Sequence, residues 1–92
     1  MPERYVVVRW PDGPSLRIYS PSTVVEDYFR AGELYPVGDF VRRSREALTI
    51  ASDRVLAAYG FPCANAARSM AVIADHARSF PTGDVLVEGI ES

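Results

Sequence analysis

The sequence contains no lysine. All ten of its basic residues are arginine, so every cationic contact it offers is a planar, forked guanidinium rather than an ammonium. Cysteine and histidine occur once each. A lone thiol excludes an intrachain disulfide, and one Cys with one His excludes a zinc site built from those two residue types alone. No apolar run reaches the ~20 residues that a membrane-spanning helix needs. The first stretch alternates like a strand and lacks a charged-then-apolar leader, so no signal peptide is expected and a cytoplasmic location is. A Gly-rich phosphate loop, a paired-His motif and a Ser nucleophile elbow are also missing. No cofactor, metal or catalytic constellation is therefore expected, and a non-enzyme is favoured.

What remains is a globular composition. The chain is 48% apolar with seven prolines and six glycines. Its 92 residues form one domain, 1–92, and a chain of this size buries roughly 60–65% of its unfolded surface. Twelve acidic residues against ten arginines give a net charge of −2. A nucleic-acid-binding regulator would show a basic balance, so nucleic acid is not the expected partner.

Residues 4–19 read as a β-hairpin. Val6, Val8 and Trp10 alternate with Tyr5, Val7 and Arg9, and Leu16 and Ile18 with Arg17 and Tyr19. Pro11-Asp12-Gly13-Pro14 suits a three-residue loop with a left-handed glycine, which sets Val6 opposite Ile18 and Val8 opposite Leu16. Ser20-Pro21 is read as a cap and first helical residue of a short helix ending at Gly32, with Glu33-Leu34-Tyr35 as a connector. A long helix follows from Pro36 to Gly60. Its stripe Val37, Val41, Ser44, Leu48, Ala51, Val55 and Tyr59 is expected to face inward. A third helix covers Cys63 to Arg78, with Ala66, Met70, Ile73, Ala77 and Phe80 inside. Asp84–Glu88 is a last strand beside the first, and Gly89–Ser92 a tail. The predicted fold is α+β in the order β-β-α-α-α-β. It is a three-stranded, mainly antiparallel sheet with one face covered by two long helices and one short helix.

Few residues suggest chemistry. Cys63 stands at a helix start, where a thiolate is favoured; it reads either as a small half-buried residue or as a reactive thiol. His76 lies roughly 20 Å further along the same helix, so the two cannot meet within one chain. His76 reads as a surface residue. Trp10 has core parity, with a binding edge as the alternative. Arg9, Arg17, Arg42 and Arg45 are candidate contacts for an anion or an acidic partner, with Asp39–Arg43 and Arg42–Glu46 spaced to pair along the helix. Tyr5, Val7 and Tyr19 share the sheet face away from the helices, a candidate surface for a homodimer.

Several separate blocks carry a family resemblance. They are Arg9-Trp10-Pro11-Asp12-Gly13, Tyr19-Ser20-Pro21-Ser22, Asp27-Tyr28-Phe29, Asp39-Phe40-Val41, Arg43-Ser44-Arg45, Ala47-Leu48, Ala51-Ser52, Arg54-Val55 and Tyr59-Gly60-Phe61 with Cys63. Together they resemble a small bacterial family of nitrogen starvation response proteins, over about residues 1–67. The resemblance implies a setting: a nitrilase-centred gene cluster, beside genes for a radical-SAM protein, an acetyltransferase, a flavin-dependent oxidoreductase and a glycosyltransferase-like protein. It implies no reaction. The resemblance implies Cys in many members where Ile18 stands and Cys-Ser where Cys63-Ala64 stands, so any two-thiol site in those relatives would be lost here. The expectation is an accessory protein that binds a partner from the same cluster, or itself. The alternatives are a small-molecule binder or minor enzyme using Cys63 or the arginines, and a nucleic-acid-binding regulator.

Overall fold

The computed structural model describes residues 3–92. Strand β1 (Arg4–Arg9) and β2 (Ser15–Ser20) form the hairpin. Its register pairs Val6 with Ile18 and Val8 with Leu16, as parity and turn chemistry require. The loop closes through the Gly13 N–H to the Trp10 carbonyl (2.9 Å) and the Trp10 N–H to the Pro14 carbonyl (3.3 Å). Gly13 takes φ +104° there, a conformation that a side chain would strain.

The sheet has four strands, in the order β2-β1-β4-β3, and all three pairings are antiparallel. The expected connector holds the additional strand, β3 (Leu34–Pro36). A three-residue strand ending in proline gives almost no periodic signal, and proline is tolerated because β3 lies at the sheet edge. The Gly32 N–H to Val87 carbonyl (2.7 Å) and Val87 N–H to Glu33 carbonyl (3.0 Å) bonds carry the pairing upstream. Tyr35 is consequently a buried strand residue rather than a linker.

The last strand, β4, runs from Asp84 to Glu91, three residues past the expected end. A bulge at Glu88 explains this. Val8 pairs with Val87 but Val7 with Gly89, so one extra residue resets the alternation and turns Ile90 back toward the core opposite Val6. The placement of β1 in the interior of the sheet beside the last strand agrees with its run of valines.

The expected short helix is a single 3-10 element, Thr23–Asp27. Ser22 caps it by accepting the Val24 N–H. Ser20, read as the cap, instead donates its hydroxyl to the Ser22 carbonyl (2.8 Å). Helix α1 (Val37–Tyr59) ends at Gly60, φ +84°, whose N–H returns to the Leu56 carbonyl, a left-handed cap. Helix α2 (Ala64–Ala77) packs beside it.

The core lies between the sheet and these helices. α1 buries Val37, Phe40, Ser44, Ala47, Leu48, Ala51 and Val55. Ser44, Ala47 and Ala51 are small, which lets the neighbouring layer approach closely. Trp10 is fully enclosed, edge-on to Phe40 (5.5 Å between centroids) and stacked on His76 (5.3 Å) and Phe80 (5.9 Å). His76 is therefore partly buried against Trp10 rather than a free surface residue. Tyr59 departs from its stripe and is 55% exposed. The reason is length. A helix of 23 residues spans roughly 35 Å, close to the 38 Å long axis of the molecule, so its last turns overrun the sheet. Leu56 and Phe61 are exposed there too.

Candidate functional site

The sheet order leaves β2 with one unpaired edge. Antiparallel strands alternate residues whose main-chain groups face the partner with residues whose groups face away. The Trp10 N–H to Pro14 carbonyl bond fixes that phase. Val8–Leu16 and Val6–Ile18 are bonded pairs, while Ser15, Arg17 and Tyr19 direct their N–H and carbonyl groups away from β1. The Tyr19 carbonyl confirms it by accepting the Ser69 hydroxyl of α2 at 2.8 Å.

Helix α2 runs beside this edge in the opposite direction. Its early residue Ser69 meets Tyr19 near the end of β2, and its late residue His76 stacks on Trp10 near the hairpin loop. Between strand edge and helix lies a groove of about 450 Å³, within the ordinary size range of ligand sites. β2 lines it with four consecutive residues, Leu16, Arg17, Ile18 and Tyr19, and Glu3 and Tyr5 flank them. α2 contributes Asn65, Arg68, Ser69 and Val72. These four have the i, i+3, i+4, i+7 spacing of one helical face.

The groups in this groove differ in how far they are engaged. The Arg17 guanidinium lies 3.3 Å from Glu91 and 4.3 Å from the centre of the Tyr5 ring. Tyr19 donates its hydroxyl to Glu3 at 3.3 Å and packs edge-on to Tyr5. Burial, then the negative charge of Glu3, pushes the Tyr19 phenol up to about 12. Cys63 adds a smaller electrostatic contribution. Arg68 and Asn65 have no polar side-chain partner among the described residues.

The Tyr19 shift has a consequence for pH. The folded pKa is raised from 10.0 to about 12, so the stability it contributes is fully present below pH 10 and is lost as pH rises toward 12. Tyr19→Phe is expected to flatten the alkaline fall in unfolding free energy across that window. Urea unfolding of both proteins on either side of the window checks it; identical alkaline profiles would contradict the assignment.

The structure thus gathers Tyr5, Arg17 and Tyr19 in the groove and leaves Cys63 and the other expected residues outside its lining. Val7 lies in the middle of the outer sheet face, paired with Arg17 and Gly89. Arg9 is taken by Glu88 at 3.1 Å, whose carboxyl is held below its usual range by the Ser15 hydroxyl first and Arg9 second. Arg42 is held by Asp39 (2.6 Å) and Glu46 (3.2 Å). Asp39 also receives Arg43, and hydrogen bonds from Arg43 and then Arg42 lower its pKa. Arg42 is accordingly not a vacant anion contact. Arg45 is exposed and unpaired among the described residues, beside Met70 and Ala74.

Cys63 precedes α2 and His76 lies in its last turn, so these two do not meet. Among the described residues no group of three or more His, Cys, Asp or Glu side chains could hold a metal ion. No helix there is long and apolar enough to cross a membrane. Glu3, Asn65, Arg68 and Ser69 are site residues that sequence reasoning missed. The helical spacing of Asn65, Arg68, Ser69 and Val72 is the one signal that could have found the last three.

Fold and groove together define a small α+β domain with helices over one sheet face and an open strand edge beside the second long helix. The chain belongs to the family described as nitrogen starvation-induced protein NitG, whose family model matches residues 5–90. That match takes in α2 and nearly all of β4, well beyond the blocks that carried the resemblance. No curated protein and no solved structure matches it.

Proposed function

We propose that this protein is a non-catalytic accessory protein of a nitrilase-linked nitrogen pathway, active in the bacterial cytoplasm by binding another protein of that pathway. One observation carries the reading: the groove between β2 and α2. It sets outward main-chain groups, an apolar lining and an unpaired arginine side by side. Those are recognition groups, and a strand edge beside a helix is suited to a polypeptide. Membership of a nitrogen starvation-induced family supports the setting, and the resemblance to proteins of nitrilase-centred clusters supports the pathway. Co-purification from nitrogen-starved cells with the products of neighbouring genes tests it. A specific partner that is lost on groove substitution is expected; a protein that stays monomeric and partnerless would overturn it.

A second reading is self-association through the outer sheet face. Val7 and Leu86 are half-buried there and Leu34 is 62% exposed, an apolar strip on an uncovered face. The flanking Arg9–Glu88 and Arg17–Glu91 pairs already neutralise its charges. Light scattering distinguishes this reading: a dimer abolished by Val7→Glu supports it, and a monomer at high concentration excludes it.

A further inference from the structure

Resting on the reading of the groove as a binding site, we propose that it takes the carboxylate end of an extended peptide. The peptide adds to β2 as a further, parallel strand and sets its terminal carboxylate against Arg68, near the Tyr19 end of β2. Three observations support this occupant.

The first is the backbone. Arg17 offers an N–H and a carbonyl, and Tyr19 an N–H, all facing the groove from the free edge of the sheet. A small acid could not pair with this row, whereas an incoming main chain does so residue by residue.

The second is the shape of the lining. Four consecutive β2 residues border the groove, so it follows the strand rather than a single side chain. Side chains of an added strand alternate in direction. One set meets Leu16, Ile18 and Val72, and the other lies toward Tyr5 and Tyr19.

The third is charge. The ionised groups lining the groove are Arg17, Arg68 and Glu3, two cations against one anion. Arg17 is occupied by Glu91 and stacked on Tyr5, and Glu3 receives the Tyr19 hydroxyl. Arg68 is the lining cation left without an ion-pair partner among the described residues. The Asn65 amide stands three residues before it on the same helical face, as a second donor. A guanidinium fork matches a carboxylate bidentately. A second β2 edge from another copy would bring Arg17 already paired with Glu91 and Glu3 already bonded to Tyr19, so it offers Arg68 no uncommitted carboxylate and fits less well.

The test uses an acetylated tetrapeptide of alternating alanine and valine, once with a free terminal carboxylate and once with a terminal amide. Each is titrated into the isotopically labelled full chain and followed by amide NMR. The acid form is expected to shift Arg17, Tyr19 and Arg68 and to slow exchange of the first two. The amide form is expected to bind about tenfold more weakly, the effect of losing one charged hydrogen-bonded contact. Arg68→Gln should level the two affinities, while Arg45→Gln, at an exposed arginine outside the groove, should preserve the difference.

Equal affinity for acid and amide in the native protein would overturn the proposal, as would an Arg68→Gln variant that keeps the preference. Phenylacetate binding as tightly as the peptide acid would overturn the added strand. Failure of both peptides would also overturn this inference. A partner still captured from cells would then leave the broader binding role standing, so the two failures are distinguishable.

Discussion

Phe40→Ala is expected to lower the unfolding free energy by about 3–5 kcal/mol, the range for losing a buried aromatic side chain. Phe40 is fully buried in the first turns of α1. It contacts Trp10 edge-on at 5.5 Å and Phe29 at 5.2 Å, and so ties α1 both to the hairpin and to the segment before β3. The void beside it, bounded by Val6, Ile18, Leu48 and Ile73, is only about 10 Å³, and its walls are already in contact. They have little room to move into the space that the ring vacates, so a cavity term adds to the lost transfer energy. Domains of this kind have about 5–15 kcal/mol in total, and the variant should therefore lie near its unfolding midpoint in little denaturant. Urea unfolding followed by circular dichroism measures it. A loss under about 1.5 kcal/mol would show that the two layers do not depend on this contact.

The largest functional effect is expected from Val72→Glu. Val72 faces the groove from α2 and is only half-buried. A carboxylate there fills part of the groove, repels an acidic ligand and competes for Arg68, one turn away on the same face. Partner capture from nitrogen-starved cells should fall at least tenfold, equivalent to about 1.4 kcal/mol of binding. Thermal stability should change far less than it does for Phe40→Ala. The matched substitution Val7→Glu places the same charge on the outer sheet face. It should leave capture intact, because Val7 does not line the groove. Quantitative pull-down with both variants checks this. If Val7→Glu abolishes capture and Val72→Glu does not, the working surface is the sheet face.

Local chemistry made some of the architecture legible in the sequence. The hairpin register followed from agreement between turn residues and side-chain parity, two independent constraints. The end of α1 followed from Gly60, and its inward face from the spacing of Val37, Ser44, Leu48, Ala51 and Val55. Other features escaped for equally physical reasons. Leu34-Tyr35-Pro36 is too short to show a period and ends in a residue that usually argues against a strand. The continuation of β4 was hidden because the Glu88 bulge breaks the alternation on which a strand is recognised. Tyr59 kept the helical period but is exposed because α1 outruns the sheet.

The groove was the least legible feature. Tyr5, Arg17 and Tyr19 stood out as residues of a sheet face, and Cys63 as a helix-start thiol. Nothing local connected residues 16–19 with residues 65–72, because the connection exists only after α2 folds back along the free edge. Arg68 shows the difficulty. On a helical wheel it lies on the polar side, which reads as solvated. The same position faces β2 in the fold, and it differs from Arg9, Arg17 and Arg42 in having no carboxylate beside it.

The central claim is that the strand-edge groove, rather than the outer sheet face or the far side of α1, is where this protein meets its partner. Site-specific photocrosslinking in nitrogen-starved cells tests it most directly. A photoreactive side chain is placed in turn at Asn65, Val7 and Arg45, one position for each surface, so that Arg68 is kept. The predicted result is a discrete crosslinked partner from position 65 alone. Crosslinks from position 7 or 45 with none from position 65 would contradict the account.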